Sequence, residues 1–486
     1  MKNSKSRFTL GLALACAAIS FSLAVHASAQ TITTLADFNG TNGNGPGPVI
    51  QATDGNFYGT TAHGGAYSEG NVFRVTPSGD LSSIYSFCSQ ANCADGQYPY
   101  TAPVLGSDGN LYGVTSSGGK NAGIVYKLTL GGKITILHTF CSSNSSCTDG
   151  NEPTGITQGS DGNFYGTATW GGEFENGTIF RISPTGNFTL LHTFCSLANC
   201  ADGGIPVYPP IQGSDGNFYG GTNAGGTAEG QGGVVYELTS EGTLKVLQNF
   251  CYPFGDTCDT GAYPTRLVQD AHGNFFGTTA TGGEYNTGTA FEITSANRFI
   301  VLHRFNYSGG VDAATGLTLA NDGNLYGVAL NNDNFASASS DYEASGYGII
   351  FEITPAGAFT TLASFTDYPI GPLFQGTDGS LYGTTAGGGE GNDGYGYGTV
   401  FKLSNGLNPL VETVPVAGPV GQSVFILGNN LTGSTSVKFN GVEAAFTVGS
   451  DTYIQATVPT GATTGAVSVV TPSGTLKSNP QFVVSE

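Results

Sequence analysis

Short apolar runs recur from residue 31 to residue 405, and glycine-rich polar segments separate them. Within the runs, apolar and polar residues alternate, as in Val72-Phe73-Arg74-Val75 and Ile179-Phe180-Arg181-Ile182. A period of two is typical of a half-buried strand, and no run carries the period of an amphipathic helix. The pattern therefore predicts an all-β chain and argues against α-solenoids and βαβ units.

A repeated motif, Asp-Gly-Asn-aromatic-Tyr-Gly, organises these runs. Each copy predicts four strands, with the motif as the hairpin turn after the first and a Pro-x-Gly turn before the fourth. Four antiparallel strands in about 54 residues form one propeller blade. Seven copies therefore predict a seven-bladed β-propeller over residues 30–405. The first glycines of the motif and its variants are Gly55, Gly109, Gly162, Gly216, Gly273, Gly323 and Gly379.

The two ends of the repeat region complement each other. Residues 31–38 match the fourth strand of the other copies, whereas the seventh copy ends after its third strand, Thr399–Leu403. We expect the N-terminal strand to complete the last blade, because pairing the first strand with the last removes open sheet edges. A stack of sheets that does not close is the alternative.

Three motifs resemble the GloVer tandem-repeat family of bacterial surface and secreted proteins. They are a Leu-His-x-Phe strand (Leu137–Phe140, Leu191–Phe194 and Leu302–Phe305), a Gly-Ser-Asp-Gly-Asn-Phe-Tyr-Gly turn, and Gly-Thr-x-Phe-x-Ile/Leu-Thr/Ser-Pro. That family has no established activity, so the resemblance implies a fold rather than a reaction. Members often end in a sorting tail, and the ending Phe482–Glu486 argues against such an anchor here.

Residues 407–486 lack the repeat and resemble an IPT/TIG domain, an immunoglobulin-like β-sandwich. Regularly spaced short strands and turns favour a sandwich independently of the resemblance. The resemblance implies that this domain is a spacer or an adhesion module, as such domains are in extracellular proteins. The matching segments are Pro419 with Gly421–Val424, Ile426–Leu431, Val437–Gly441, Val458-Pro459 and Gly465–Val469.

The first 29 residues are typical of a signal peptide. Basic residues precede an apolar run from Phe8 to Val25, and Ala27-Ser28-Ala29 offers small residues for cleavage after Ala29. A lipoprotein site at Cys16 is the alternative, but Ala13-Leu14-Ala15 is a poor lipobox. No later run approaches the roughly 20 apolar residues of a membrane span. We expect a secreted or periplasmic/extracellular protein.

The charge balance limits the partners. The chain has 15 Lys+Arg and 35 Asp+Glu, and removing the three basic residues of the signal peptide leaves 12 against 35, a net charge of −23. Such a surface repels nucleic acid and anionic membranes. We therefore expect no nucleic-acid partner, no membrane insertion and a monomer.

Without Cys16, the mature chain keeps an even number of cysteines in an oxidising compartment. They form four local pairs, each directly after a predicted fourth strand, so local disulfides are the simplest connectivity. A zinc site would need two pairs to converge, which adjacent blades prevent. The pairs are Cys88 and Cys93, Cys141 and Cys147, Cys195 and Cys200, and Cys251 and Cys258.

One acidic residue follows each cysteine pair, and these residues occupy nearly equivalent places in the repeat. A partial ring of carboxylates near the channel mouth could hold a hard cation such as calcium, the one cofactor that we consider. The alternative is that each residue only turns the chain into the inner strand. The residues are Asp95, Asp149, Asp202 and Asp259.

The long loops between second and third strands, together with the blade connections, are expected on one propeller face. Function usually lies on such loops. Their aromatic residues beside acidic and amide groups suit sugar rings, although packing between neighbouring loops is an equal alternative. The candidate ligand-binding residues are Trp170, His63, Tyr67, Phe174 and Tyr285.

The sequence contains no recognisable catalytic constellation. No serine stands in a Gly-x-Ser-x-Gly nucleophile elbow, and His138, His192 and His303 share one repeat position, which indicates a structural role. The catalytic residues, if any, stay unknown. The leading hypothesis is a secreted non-catalytic binding or adhesion protein that contacts an extracellular glycan or surface polymer. The alternatives are an extracellular polysaccharide lyase or hydrolase, with or without a metal, and a structural surface component without a ligand site.

Overall fold

The computed structural model describes residues 30–142, 147–227, 231–251, 258–306, 316–330, 348–389 and 396–485. In these ranges the chain is all-β, as predicted, apart from two short 3-10 turns at Ala91–Cys93 and Ala198–Cys200. The predicted signal peptide lies outside the described residues. Across the described ranges, no helix is long and apolar enough to cross a membrane.

The N-terminal part of the chain, here called the repeat region, forms strands β1 to β29. In chain order they are β1 (Thr31–Asp37), β2 (Asn44–Gln51), β3 (Phe57–His63), β4 (Asn71–Val75), β5 (Leu81–Ser86), β6 (Val104–Leu105), β7 (Leu111–Thr115), β8 (Ile124–Leu128), β9 (Ile134–Thr139), β10 (Asn151–Gln158), β11 (Phe164–Trp170), β12 (Thr178–Ile182), β13 (Phe188–Thr193), β14 (Ile211–Gln212), β15 (Phe218–Gly221), β16 (Val234–Leu238), β17 (Leu244–Asn249), β18 (Ala262–Pro264), β19 (Val268–Gln269), β20 (Phe275–Thr281), β21 (Thr289–Ile293), β22 (Phe299–Arg304), β23 (Leu317–Leu319), β24 (Leu325–Leu330), β25 (Gly348–Ile353), β26 (Phe359–Phe365), β27 (Pro369–Gln375), β28 (Leu381–Thr385) and β29 (Thr399–Ser404).

Consecutive strands pair in antiparallel meanders, which we number by chain order. Sheets 1 to 4 are β2–β5, β6–β9, β10–β13 and β14–β17; sheet 5 is β18–β22, where β18 and β19 both pair with β20; sheet 6 is β23–β26. Sheet 7 has the order β1-β29-β28-β27. Thr31 lies opposite Ser404 and Asp37 opposite Thr399, so the N-terminal strand supplies the outer strand of sheet 7.

Aromatic residues of the repeated motif form the packing between sheets. Successive residues of a strand point to opposite faces, so the motif's first aromatic residue faces one neighbouring sheet and its tyrosine faces the other. The Tyr112 and Phe164 rings stack at 4.1 Å between sheets 2 and 3, and Tyr165 and Phe218 stack at 3.8 Å between sheets 3 and 4. Tyr382 and Phe57 lie 4.0 Å apart and join sheet 7 to sheet 1. Each pair adds about 0.5–1.5 kcal/mol beyond its buried area.

Glutamines at the end of the first strand link neighbouring sheets where the motif turns lie; we call these the turn ends. The side-chain oxygen of each glutamine accepts a hydrogen bond from a backbone N–H in the turn of the preceding sheet. Gln51 of sheet 1 accepts from Thr377 of sheet 7 at 3.0 Å, so the last sheet is again joined to the first. The other pairs are Gln158 with Ser107, Gln212 with Ser160, Gln269 with Ser214 and Gln375 with Asn321.

The opposite ends of the sheets, here called the loop ends, carry the second-to-third loops and the connections between sheets. A glycine before the third strand packs there against a proline of the following sheet. Gly177 has a φ of +96°, and a Cβ at this position would meet the Cδ of Pro206 at 2.5 Å. Gly70 faces Pro99 and Gly123 faces Pro153 in the same way. Only glycine allows this approach with this backbone.

The C-terminal part forms an immunoglobulin-like sandwich. Its two four-stranded sheets have the orders β30-β32-β36-β35 and β34-β33-β37-β38, and β31 pairs in parallel with β39. Val424, Ile454, Val467 and Phe439 lie in the core between them. The strands are β30 (Glu412–Val414), β31 (Ala417–Pro419), β32 (Ser423–Leu427), β33 (Ser436–Phe439), β34 (Val442–Glu443), β35 (Phe446–Val448), β36 (Tyr453–Thr457), β37 (Val467–Thr471), β38 (Gly474–Lys477) and β39 (Val483–Ser485).

The sandwich docks on the turn ends of the repeat region. The Thr452 hydroxyl donates to the Thr53 carbonyl at 2.6 Å, and the Asn429 amide donates to the Thr377 hydroxyl at 2.8 Å. Asn479 donates to the Leu319 carbonyl at 3.0 Å. Apolar side chains of both parts share one cluster around these contacts, with Leu427 and Val414 from the sandwich and Leu105 and Ala52 from the repeat region. The loop ends therefore point away from the C-terminal domain.

Candidate functional site

The four predicted disulfides are present at the loop ends of the sheets. The Cα atoms of Cys88 and Cys93 lie 3.9 Å apart, as do those of Cys195 and Cys200. The corresponding distances are 4.4 Å for Cys141 and Cys147 and 5.5 Å for Cys251 and Cys258. Each bridge closes a short loop after an outer strand, because the repeat brings the two cysteines together locally.

The acidic residue after each bridge organises its own loop. The buried Asp202 carboxylate accepts hydrogen bonds from the backbone N–H and the hydroxyl of Ser196, at 3.0 and 2.7 Å, and from the N–H of Leu197 at 3.2 Å. His192 Nε2 completes the set at 3.2 Å. Burial acts to raise the pKa of Asp202, but these hydrogen bonds outweigh it and lower the pKa to about 2.

Asp95 and Asp149 have related partners. Asp95 accepts from the Tyr85 hydroxyl at 2.6 Å and from the backbone N–H and hydroxyl of Ser89. Asp149 lies 2.9 Å from His138 Nε2 and accepts from the backbone N–H of Cys141. For both carboxyls burial acts to raise the pKa, but the hydrogen bonds outweigh burial and the pKa is lowered. Asp259, the fourth member, is exposed.

These hydrogen bonds agree with the alternative in which each acidic residue shapes the turn of its own loop. The bonded carboxylates face donors of their own loops, and among the described residues no three His, Cys, Asp or Glu side chains are grouped so that they could hold a metal ion. The pairing of the outer-strand residue with the acidic residue was missed by sequence reasoning. Its signal was present, since Tyr85, His138 and His192 precede their aspartates by 10, 11 and 10 residues.

Ser196, His192 and Asp202 are the three residue types of a hydrolytic triad, but their order in space is wrong. The serine hydroxyl donates to Asp202, and the carboxylate lies between serine and histidine. A triad needs the histidine in the middle, where it removes the serine proton. The same loop position repeats around Asp95 with a tyrosine instead of a histidine. These contacts are therefore structural.

The predicted aromatic residues keep a large part of their surface exposed. Trp170 ends β11 with 40% of its surface exposed, and Phe174 lies in the following loop at 41%. Tyr67 and Tyr285 lie in the equivalent loops of sheets 1 and 5, at 51% and 43%. His63 ends β3 and is exposed as well. Side chains on the loops of a rigid scaffold are candidates for ligand contact.

Two further tyrosines extend this surface. The rings of His63 and Tyr98 contact each other edge-on at 5.2 Å, and the Tyr98 and Tyr100 rings lie 6.5 Å apart. A hydrogen bond from the Tyr98 hydroxyl to Glu69 raises the tyrosine's pKa. Tyr100 is 54% exposed. Sequence reasoning missed both because they lie in a connection between sheets; the signal was their position on either side of Pro99.

One backbone position at the loop ends is repeated from sheet to sheet. Its N–H donates to a carbonyl in the second-to-third loop of the preceding sheet, and its φ is positive in sheets 1 to 5. The residues, with their acceptors and distances, are Gly45 to Tyr397 (3.1 Å), Tyr98 to Glu69 (3.0 Å), Glu152 to Ala122 (3.1 Å), Ile205 to Asn176 (2.8 Å) and Tyr263 to Gly232 (2.7 Å). Their φ values are 65°, 57°, 57°, 55° and 62°.

Comparison with known proteins adds two family matches. The family profile described as the Gloeobacter/Verrucomicrobia repeat matches residues 18–207 and 196–367, and the IPT/TIG domain profile matches residues 410–484. No curated protein sequence matches this chain.

Several solved structures resemble the chain at low identity. One is the extracellular domain of a hybrid two-component system protein from B. thetaiotaomicron, with a TM-score of 0.48, 10% identity, and coverage of 94% of this chain and 59% of that one. A gluconolactonase from Xanthomonas campestris has a TM-score of 0.38, 10% identity and coverage of 62% and 86%. For a luciferin-regenerating enzyme the values are 0.39, 13%, 78% and 97%. None of these similarities bears on what this chain binds or does.

Proposed function

The chain belongs to the Gloeobacter/Verrucomicrobia repeat family, as its motifs predict, and on this basis we propose an extracellular, non-catalytic glycan-binding protein. The observation that carries the proposal is the row of exposed aromatic side chains at the loop ends, Trp170 foremost. Such rings offer apolar faces to sugar rings, while neighbouring carboxylate and amide groups bond to their hydroxyls. The four disulfides support an oxidising compartment.

We propose further that the repeat region is a closed, seven-bladed β-propeller, with each sheet as one blade. Three contacts between sheets 7 and 1 support closure: Gln51 with Thr377, Tyr382 with Phe57, and the Thr384 hydroxyl with the Gly47 carbonyl at 3.2 Å. A closed ring holds the loops of all blades at fixed positions around one axis. A ligand then meets a rigid surface and little conformational entropy is lost on binding.

Deleting residues 30–38 tests the closure. The loss of β1 exposes the edge of β29, and unpaired strand edges promote association. We expect the truncated protein to form dimers or larger species in size-exclusion chromatography with light scattering, and to unfold at a lower temperature. Deleting residues 407–486 is the control, since it leaves every sheet of the repeat region paired. A monomeric truncated protein of unchanged stability would contradict closure through β1.

Thermal unfolding with a panel of polysaccharides tests binding. The panel contains xylan, mannan, mixed-linkage β-glucan and chitin oligosaccharides, each with calcium or with chelator, and each polymer is checked afterwards for cleavage. A ligand at 100 times its dissociation constant adds about 2.7 kcal/mol to the free energy of unfolding. For a chain of this size we expect the midpoint to rise by about 2–4 °C.

The variant Trp170→Ala should abolish that rise. Leu190→Ala is the matched control, because Leu190 lies on the outer strand of the same sheet and is 41% exposed, against 40% for Trp170. If both variants keep the ligand-induced rise, Trp170 is not a contact residue. Polymer cleavage would favour an enzyme, and no rise with any polymer would favour a structural surface component.

A further inference from the structure

We infer that the repeated positive-φ position at the loop ends presents the side chains that select the ligand, and that the ligand is a neutral glycan. The side chains are those of Tyr98, Glu152, Ile205 and Tyr263, in four consecutive sheets. This inference rests on the proposed function and assigns its specificity to particular residues. None of the four belongs to the second-to-third loops that carry Trp170, Tyr67, Phe174 and Tyr285.

The backbone at this position has a structural reason. The N–H points back to the preceding sheet and donates to a backbone carbonyl there. The acceptor residue directly precedes the glycine that contacts the proline, as Asn176 precedes Gly177. The next residue is a buried proline in each case: Pro99, Pro153, Pro206 and Pro264. The hydrogen bond and the proline together hold this segment against the neighbouring sheet, and the backbone has a positive φ in these sheets. In sheet 7 the equivalent residue, Tyr368 before Pro369, does not have a positive φ.

The backbone requirement alone does not select these side chains. Gly45 makes the same hydrogen bond in sheet 1, so glycine satisfies the backbone requirement without a Cβ. A positive φ is uncommon for other residues and a true outlier for a β-branched residue such as Ile205. In a chain with 77 glycines, four successive sheets nevertheless carry larger residues here. Strain of this kind that persists at one site is a sign of function.

The orientation of these side chains agrees with a contact role. The following prolines are buried against the preceding sheet, whereas Glu152 is exposed and Tyr98, Ile205 and Tyr263 are partly exposed. Glu152 and Tyr263 lie in the first strands β10 and β18, and Tyr98 and Ile205 lie in the connections that lead to β6 and β14. The first strands of neighbouring sheets adjoin one another, as the Gln158–Ser107 and Gln212–Ser160 contacts demonstrate. The position therefore lies on the inner side of the loop ends.

The chemistry of the four residues favours a neutral sugar. Two phenol rings and one aliphatic side chain offer apolar contact, and one carboxylate accepts hydrogen bonds from hydroxyl groups. None of the four is basic, and the chain's net charge is −20. Uronate polymers and sulfated glycans would meet like charge throughout. The exposed rings of His63 and Tyr100 continue the surface outward from Tyr98.

The experiment separates strain from binding by substituting glycine. Ile205→Gly, Tyr98→Gly and their combination with Tyr263→Gly are titrated calorimetrically with xylohexaose, mannohexaose and cellohexaose, and with hexagalacturonate as the anionic comparison. For the neutral oligosaccharide that binds the wild type, we expect at least a tenfold loss of affinity in the triple variant. Tyr98→Phe should retain most of the affinity because it keeps the ring.

The unfolding midpoint of the glycine variants distinguishes a role in binding from a role in packing. Glycine relieves the positive-φ strain, so Ile205→Gly should unfold at the same temperature as the wild type or up to about 2 °C higher. A drop of several degrees would assign Ile205 to packing and overturn the inference. Unchanged affinity in the triple variant, with binding still lost in Trp170→Ala, would overturn it while leaving the proposed function intact. Binding of hexagalacturonate alone would overturn the neutral-glycan assignment, and binding of no oligosaccharide would overturn the proposed function with it.

Discussion

Gly177→Ala should destabilise the protein by about 2–5 kcal/mol, the sum of a left-handed backbone penalty and overpacking. Gly177 has a φ of +96°, a backbone conformation that is unfavourable for residues with a Cβ. The added methyl carbon would also lie 2.5 Å from Pro206 Cδ and 2.7 Å from the carbonyl oxygens of Ala168 and Thr169. Two of these three atoms are backbone and the third belongs to a buried ring, so none can move aside cheaply. Equilibrium unfolding in urea measures the loss.

Gly162→Ala is the matched control in the same sheet. Its φ is +79°, and a Cβ there would meet nothing within 4 Å. This variant carries only the backbone penalty and should lose about 1–2 kcal/mol. If both variants lose the same amount, the glycine–proline contact between sheets 3 and 4 contributes nothing to stability.

Asp202→Ala should cost about 1.5–3 kcal/mol at pH 7, the range for hydrogen bonds to a charged group. The N–H groups of Ser196 and Leu197 would lose their acceptor, and His192 would lose its partner. Asp259→Ala is the control, because Asp259 stands at the corresponding place but is exposed. We expect only a small change in the urea midpoint for that variant. Equal effects in the two variants would refute the role given to the buried carboxylate.

The Asp202 carboxyl makes the free energy of unfolding depend on pH. Its pKa is about 2 in the folded protein, against 3.8 for the unperturbed group. A lowered folded-state pKa stabilises the fold above pH 3.8, and the contribution, about 2 kcal/mol, disappears as the pH falls from about 4 to 2. Unfolding measured at pH 6 and at pH 2.5 should show this loss in the wild type and a smaller one in Asp202→Ala. Identical pH dependence in both proteins would mean that another group carries it.

The repeat explains why so much of the fold was predictable. Strands, hairpin turns and the disulfides depend on residues close together in the chain, and seven copies of one motif average out local exceptions. Trp170 and Tyr67 were placed at the loops for the same reason, since each lies beside or between two recognised strands, but the sequence left open whether their rings are exposed or packed. The confirmed predictions therefore concern mainly local structure.

Apart from the pairing of β1 with β29, which the complementary ends of the repeat region predicted, features that join distant parts of the chain were missed. The Gln51–Thr377 hydrogen bond spans 326 residues, and nothing next to either residue indicates its partner. The role of Asp202 required knowing that His192 and Ser196 converge on one carboxylate, whereas the repeat spacing suggested a ring of carboxylates instead. Docking of the C-terminal domain depends on complementary surfaces, such as Thr452 against Thr53, that no periodicity encodes.

That docked arrangement has a mechanical consequence. A tensile force between a ligand held at the loop ends and the C-terminal domain would pass through the sheets along their strands and then across the small junction formed by Thr452, Asn429 and Asn479. Strands loaded along their length resist extension through many hydrogen bonds at once, whereas this junction has few. Under load the domain should separate from the turn ends before any sheet opens, and the connecting segment between β29 and β30 would then carry the tension.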